Sequence, residues 1–142
     1  MSDHGTREFG VGLFDRWTAM WNGDVDLVDE IMAPAFVLRY AQAGTDAFDG
    51  IRTPRQLAEV VAAWHRSRSG LLFAAEGTAV VDLTPADGGP SGLVARPYLA
   101  SFVGEDDEKV ARSGTDVLRV CDGLIVEVWS VSSGAAGRTF YH

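Results

Sequence analysis

Asp116 is where any chemistry of this chain starts. It lies in Lys109–Ser133, KVARSGTDVLRVCDGLIVEVWSVSS, whose two apolar, β-branched arms flank Cys121-Asp122-Gly123 and read as strands joined by an Asp-Gly hairpin turn. Strand interiors are depleted in Asp, and one facing a core is either hydrogen-bonded or carries a raised pKa, the property that lets a carboxyl exchange a proton near neutral pH. Alternation along the strand puts Arg112, Gly114 and Leu118 on the same face. The competing reading is a buried structural acid bonded to backbone or to Tyr40. Tyr40 ends a second strand, with Phe36 and Leu38 on its face; its hydroxyl either orients a carbonyl or simply reaches water from a packed ring. His65, beside Trp64, is a proton shuttle if it faces a pocket mouth, and an exposed helical histidine among Arg66 and Arg68 if it does not. Arg96 and Tyr98 share a strand face, and an inward Arg96 would hold Asp116 ionised.

Other chemistries find little support. Histidines at positions 4, 65 and 142 with a single cysteine offer no zinc spacing, and there is no P-loop or dinucleotide fingerprint, so neither metal nor organic cofactor is expected. The run Glu105-Asp106-Asp107-Glu108 reads as a solvated hairpin tip, with calcium binding as the alternative. A net charge of −8 argues against nucleic acid and anionic membrane surfaces, which need a clustered basic face. Cys121 has no disulfide partner, the first ten residues hold no apolar signal core, and no apolar run reaches the roughly 18 residues of a membrane span. A cytoplasmic protein is expected.

The elements that must position these residues fit one domain over residues 1–142, with a core over about 8–133 and loose ends. Apolar positions recur three and four apart from Glu8 to Trp21, predicting an amphipathic helix ended by Asn22-Gly23. Asp24 is placed to cap a second helix, Val25–Met32, closed by Pro34; Ala35–Tyr40 is the strand already named. The following AQAGTDAFDG is a loop. Thr53 caps a third helix with Pro54 in its first turn and Leu57, Val60, Val61 and Trp64 along its buried stripe. Four β-rich segments follow, Leu71–Leu83, Gly92–Gly104, Lys109–Cys121 and Leu124–Ser132, with connections too short for helices. Helices first and strands later predict an α+β domain.

Trp21-Asn22-Gly23-Asp24 after an aromatic helix, the strand ending at Tyr40, Gly50 before helix three, Gly114 to Val120 (GTDVLRV) and Asp122 to Trp129 (DGLIVEVW) together resemble the nuclear transport factor two-like superfamily. Within it the pattern is most similar to the SnoaL-like polyketide cyclase group. The resemblance covers roughly residues 8–133. It implies a conical barrel, in which a strongly curved, mixed but mostly antiparallel sheet wraps a pocket roofed by three helices. It also implies that Asp116 stands where ketosteroid isomerases carry an oxyanion-hole aspartic acid and SnoaL-like cyclases an acidic residue serving as general acid/base. Trp17 falls near the isomerase's oxyanion-hole tyrosine and Tyr40 at its general base. Both changes count against isomerase activity, because an indole has only its N–H and a phenol is a poor base at neutral pH. The epoxide hydrolases of the superfamily need a second strand carboxylate near Ser130, which serine does not supply.

The resulting expectation is a cofactor-independent acid/base enzyme acting on a hydrophobic, carbonyl-bearing small molecule. Asp116, Tyr40 and His65 are the catalytic candidates, and Trp17, Leu38, Trp64, Tyr98, Leu118, Val128 and Ser130 are the substrate-lining ones. A non-catalytic ligand-binding or dimerisation module is the alternative, and a dehydratase or epoxide-opening enzyme is a third reading if Asp116, His65 and Tyr40 converge. Trp129, Ile125 and Val131 are predicted to point outward, which implies that a second copy covers the outer sheet face as a homodimer.

Overall fold

A computed structural model describes residues 3–134 and 137–141. His142 and the His4 side chain lie outside the described residues, as do parts of the termini expected to be loose. The first helix, α1, spans Asp3–Trp21, starting five positions before the apolar periodicity does. Leu13, Phe14, Trp17 and Met20 are its fully buried stripe. The Asn22 side-chain amide then clasps the backbone of Phe73, accepting from its N–H at 2.7 Å and donating to its carbonyl at 2.8 Å, which fastens the end of α1 to the sheet.

The predicted second helix is broken. Val25–Leu27 forms a single 3-10 turn and α2 is only Val28–Ile31, with no side-chain cap from Asp24. Pro34 does not follow a helix but sits inside the first strand, β1, Met32–Tyr40. A proline is tolerated there because β1 is an edge strand paired only with β6, and its register slips between Met32 and Val37. The loop after Tyr40 contains a 3-10 turn, Asp46–Gly50, that buries Phe48. The third helix, α3, is Pro54–Ser67, opened by a full capping box in which the Thr53 hydroxyl and the Gln56 side chain serve each other's backbone N–H groups.

The segment Leu71–Leu83 is two strands, β2 (Ser69–Ala75) and β3 (Val80–Thr84), parted at Gly77 (φ +62°). Both pair antiparallel with β4, Ser91–Val103. The chain then runs as a meander through β5, Lys109–Cys121, and β6, Leu124–Ser132. Asp122 and Gly123, at φ 52° and 82°, form the predicted tight turn between them. Parallel pairing of β1 with β6 completes the order β1-β6-β5-β4-β2, with β3 also on β4. Three helices therefore pack on a mixed, mostly antiparallel six-stranded sheet, the α+β architecture the sequence predicted.

One strand face departs from simple alternation. Val120 pairs with Ile125 but Arg119 pairs with Glu127, so Val126 is a bulge residue that reverses the alternation within β6. Ile125 consequently points into the core, fully buried, whereas Trp129 and Val131 do point outward. The same bulge turns Glu127 to the outer face, where Arg39 and Arg119 flank it and hold its carboxyl below the usual range, chiefly through the hydrogen bond from Arg39. Among the described residues no helix is long and apolar enough to cross a membrane.

Candidate functional site

The inner face of the sheet is built in rows, because directly paired residues share a face. In the first row Leu38, Val128, Leu118 and Val94 stand side by side across β1, β6, β5 and β4, each at most 2% exposed. Two positions further along, the row becomes polar: Tyr40, Ser130, Asp116 and Arg96. Beyond it Gly114 faces Tyr98, and beyond that Arg112 faces Ala100 and Ala100 faces Phe73. The apolar row is the floor, and a cavity of about 270 Å³ opens over the later rows, roofed by α1 and α3 and edged by the turn after β1.

Asp116 lines this cavity in the row next to the apolar floor. The Trp17 indole reaches down from α1 and donates to Oδ2 at 2.9 Å, a bond between two buried side chains. Oδ1 is buried and accepts no hydrogen bond. Burial pushes the Asp116 carboxyl up to about 6, while the Ser130 hydroxyl beside it and the Trp17 N–H pull the other way. Tyr40 and Tyr98 are each driven well above the ordinary tyrosine range, first by burial and next by the negative charge of Asp116; Ser130 moderates both. Both phenols therefore stay protonated at any pH the protein meets and serve as hydrogen-bond donors. Gly114 is what admits Tyr98. A β-carbon there would run into the phenol end of Tyr98 and lie 2.8 Å from the Val131 carbonyl oxygen.

Aromatic rings make up much of the remaining wall. Trp21 packs against Trp17, Trp64 and Phe73 at centroid distances of 6.2, 5.4 and 5.4 Å, and Tyr40 stacks on Phe48 at 4.3 Å. The rest of the lining includes Phe14, Phe73 and Phe102, with Arg68 and Arg112 as its cations.

Of the residues singled out from the sequence, Asp116, Tyr40, Trp17, Trp64, Tyr98 and Ser130 come together on this one cavity. Leu38, Leu118 and Val128 do not line it; they share its face but lie one row too deep, in the sealed floor. His65 is also removed from the site. Its Nε2 lies 2.6 Å from the Trp21 carbonyl oxygen, so the ring ties α3 to the end of α1, away from the cavity wall. Arg96 is inward by register, yet its guanidinium donates to the carbonyls of Glu76 and Gly77 and lies 3.8 Å from Asp15. It does not pair with Asp116. Arg68 was read only as a neighbour of His65, and Arg112 only as sharing the face of Asp116. The four-residue spacing of Arg112 from Asp116 was the available signal, since it places both on one wall.

No family model and no curated protein matches the sequence. Solved structures do. A candidate polyketide cyclase from Acidithiobacillus ferrooxidans superposes with a TM-score of 0.66 at 17% identity, covering 89% of each chain. A candidate SnoaL-like polyketide cyclase from Jannaschia gives 0.63 at 14% identity, over 93% of this chain and 89% of the other. AclR, a candidate hydroxylase from Streptomyces galilaeus, gives 0.60 at 14%, over 89% and 79%. The fold is thus that of the SnoaL-like cyclases which the sequence pattern resembles. Identities this low establish the fold and leave the reaction to be argued from the site, the more so because a hydroxylase shares the same frame.

Proposed function

We propose that this protein is a cofactor-independent, cytoplasmic enzyme that closes a carbon–carbon bond in a hydrophobic, carbonyl-bearing molecule, in the manner of a polyketide cyclase. The observation that carries the reading is Asp116 on the wall of an aromatic cavity, a buried carboxyl with a pKa of about 6 and one oxygen, Oδ1, that accepts no hydrogen bond. At pH 7 such a group is about nine-tenths ionised, and a general base works best with a pKa near the operating pH. Oδ1 takes a proton from the carbon next to a carbonyl, and the electron pair moves onto the carbonyl oxygen as an enolate. Tyr40 and Tyr98, neutral donors beside Asp116, stabilise that oxygen. The enolate carbon then attacks a second carbonyl carbon of the same molecule, and the new alkoxide recovers the proton from Asp116. The sum is an intramolecular aldol addition with no redox change. His65 has no part in it, which removes the support for a dehydratase or epoxide-opening enzyme built on Asp116, His65 and Tyr40 together.

The test uses α-hydrogen exchange of 2-acetylnaphthalene in deuterated water, followed by NMR. The protein should accelerate exchange, and Asp116→Asn should lose at least a hundredfold, within the usual contribution of a positioned general base, while keeping its circular dichroism. Binding without exchange by the wild type favours a ligand-binding module, a reading supported by Asp116 being, among the described residues, the only carboxylate on the cavity wall. The same proposal includes a homodimer through the outer sheet face, where Leu93, Trp129 and Val131 remain 39–45% exposed.

A further inference from the structure

The cavity has two poles. Asp116 and Arg112 lie on one face of β5, four residues apart, so their Cα atoms are separated by about 13 Å along the strand. Arg112 lies over the Phe102 ring, 5.3 Å from its centroid, and its Nε is buried with no hydrogen-bond partner. Arg68, at the end of α3, lies 4.2 Å over Trp64 and spends one hydrogen bond on the neighbouring Ser67 hydroxyl. The two guanidiniums are close enough for Arg112 to add to the effect of burial in lowering the Arg68 pKa. Among the described residues neither Arg68 nor Arg112 has a carboxylate within 4 Å, and no other cation lines the cavity. In a chain with a net charge of −8, the cations left without a counter-charge on this cavity wall are this pair.

Two partly buried cations on one cavity wall, each against an aromatic ring and one with an unpartnered Nε, are complementary to a flat oxyanion. We infer that the substrate is an aromatic or polyketone carboxylic acid whose free carboxylate is held by Arg68 and Arg112 while its reacting carbon lies at Asp116. The inference rests on the acid/base reading and adds the substrate's class to it. The Asp116 charge works in the same direction. It repels a ligand carboxylate from its own end of the cavity, so the cavity accepts the molecule in one orientation only. An ester or amide of the same skeleton still offers a carbonyl acceptor but carries no charge, so it loses the charge-assisted bonds.

Calorimetric titration with 2-naphthoic acid and its methyl ester reads this directly. The acid should bind at least tenfold more tightly than the ester, the difference that a charge-assisted hydrogen bond brings. Arg68→Met and Arg112→Met should each bring the ratio to within about twofold, whereas Asp116→Asn should keep or raise it. The ratio is taken within one preparation, so partial unfolding of a variant cancels. Equal affinity for acid and ester, or a preference that survives both arginine substitutions, overturns the inference. Tenfold tighter binding of 2-naphthyl phosphate than of 2-naphthoate overturns the carboxylate in favour of a phosphoryl group. Loss of exchange activity without a change in the ratio, or the reverse, separates the acid/base reading from this one.

Discussion

Replacing Asp116 by asparagine should make the protein more stable, and by an amount that depends on pH. The carboxyl titrates at about 6 in the folded chain against an ordinary 3.8. Between those values the folded state holds more protons than the unfolded one, so stability falls as pH rises through this window and then levels off. The gap is about 2.2 pH units, and at about 1.36 kcal/mol per unit the ionised acid costs about 3 kcal/mol once both states have lost the proton. Asparagine is neutral throughout. Its amide oxygen can accept from the Trp17 indole as Oδ2 does, and its amide nitrogen faces the Ser130 hydroxyl.

Urea unfolding of both proteins from pH 4 to pH 8 isolates this group, because the two proteins share all others. The variant's advantage should be about 0.5 kcal/mol at pH 4, grow mostly below pH 6, and reach about 3 kcal/mol by pH 8. Because the same variant should have lost α-hydrogen exchange, the pair of results would mark Asp116 as an acid kept at the expense of stability. A difference that is flat between pH 4 and pH 8, or a variant that is less stable at pH 8, would refute a desolvated carboxyl at this position.

Trp17→Phe keeps an aromatic ring, smaller than the indole, but removes the donor to Oδ2; the pH at which exchange activity appears should rise by about one to two units, since hydrogen bonds to charged groups are worth about 1.5–3 kcal/mol. Gly114→Ala sets a β-carbon against the Tyr98 phenol and the Val131 carbonyl. It should cost about 1–3 kcal/mol in urea unfolding and weaken 2-naphthoate binding, because backbone or Tyr98 must move. Trp129→Glu places a charge on the outer face; sedimentation should show dimers in the wild type and monomers in the variant, and dimers in both would exclude this face as the interface.

The parts of the fold that local chemistry dictates were legible in the sequence. Thr53-Pro54 with Gln56 specifies the start of α3 because the capping box satisfies its own backbone within three residues, and Asp122-Gly123 specifies the last hairpin because both residues readily take the positive φ that the turn requires. What failed depends on partners distant in sequence. Pro34 reads as a helix stop, yet it enters a strand because β6 offers β1 only one bonded edge. Ile125 reads as outward by alternation from Trp129, and the bulge at Val126 that reverses it is set by the β5 register. His65 reads as a shuttle on the strength of its intrinsic pKa, but the carbonyl that engages its ring belongs to a residue 44 positions earlier.

The same distinction explains why six of the ten residues singled out from the sequence line the cavity and three of the others lie beneath it. Alternation along a strand tells which face a side chain takes but not how deep it lies along the barrel. Leu38, Leu118 and Val128 share a face with Tyr40, Asp116 and Ser130, and two residues of displacement separate a sealed floor from a chemical wall. Depth is set by where the helices stop covering the sheet. Trp17 on α1 closes the space immediately above Asp116, and α3 ends beside the opening with Arg68. The carboxylate and the two arginines therefore define the ends of one axis whose length is four residues of β5. The proposed cyclisation uses such an axis, with the reacting carbon at one end and the chain anchored at the other.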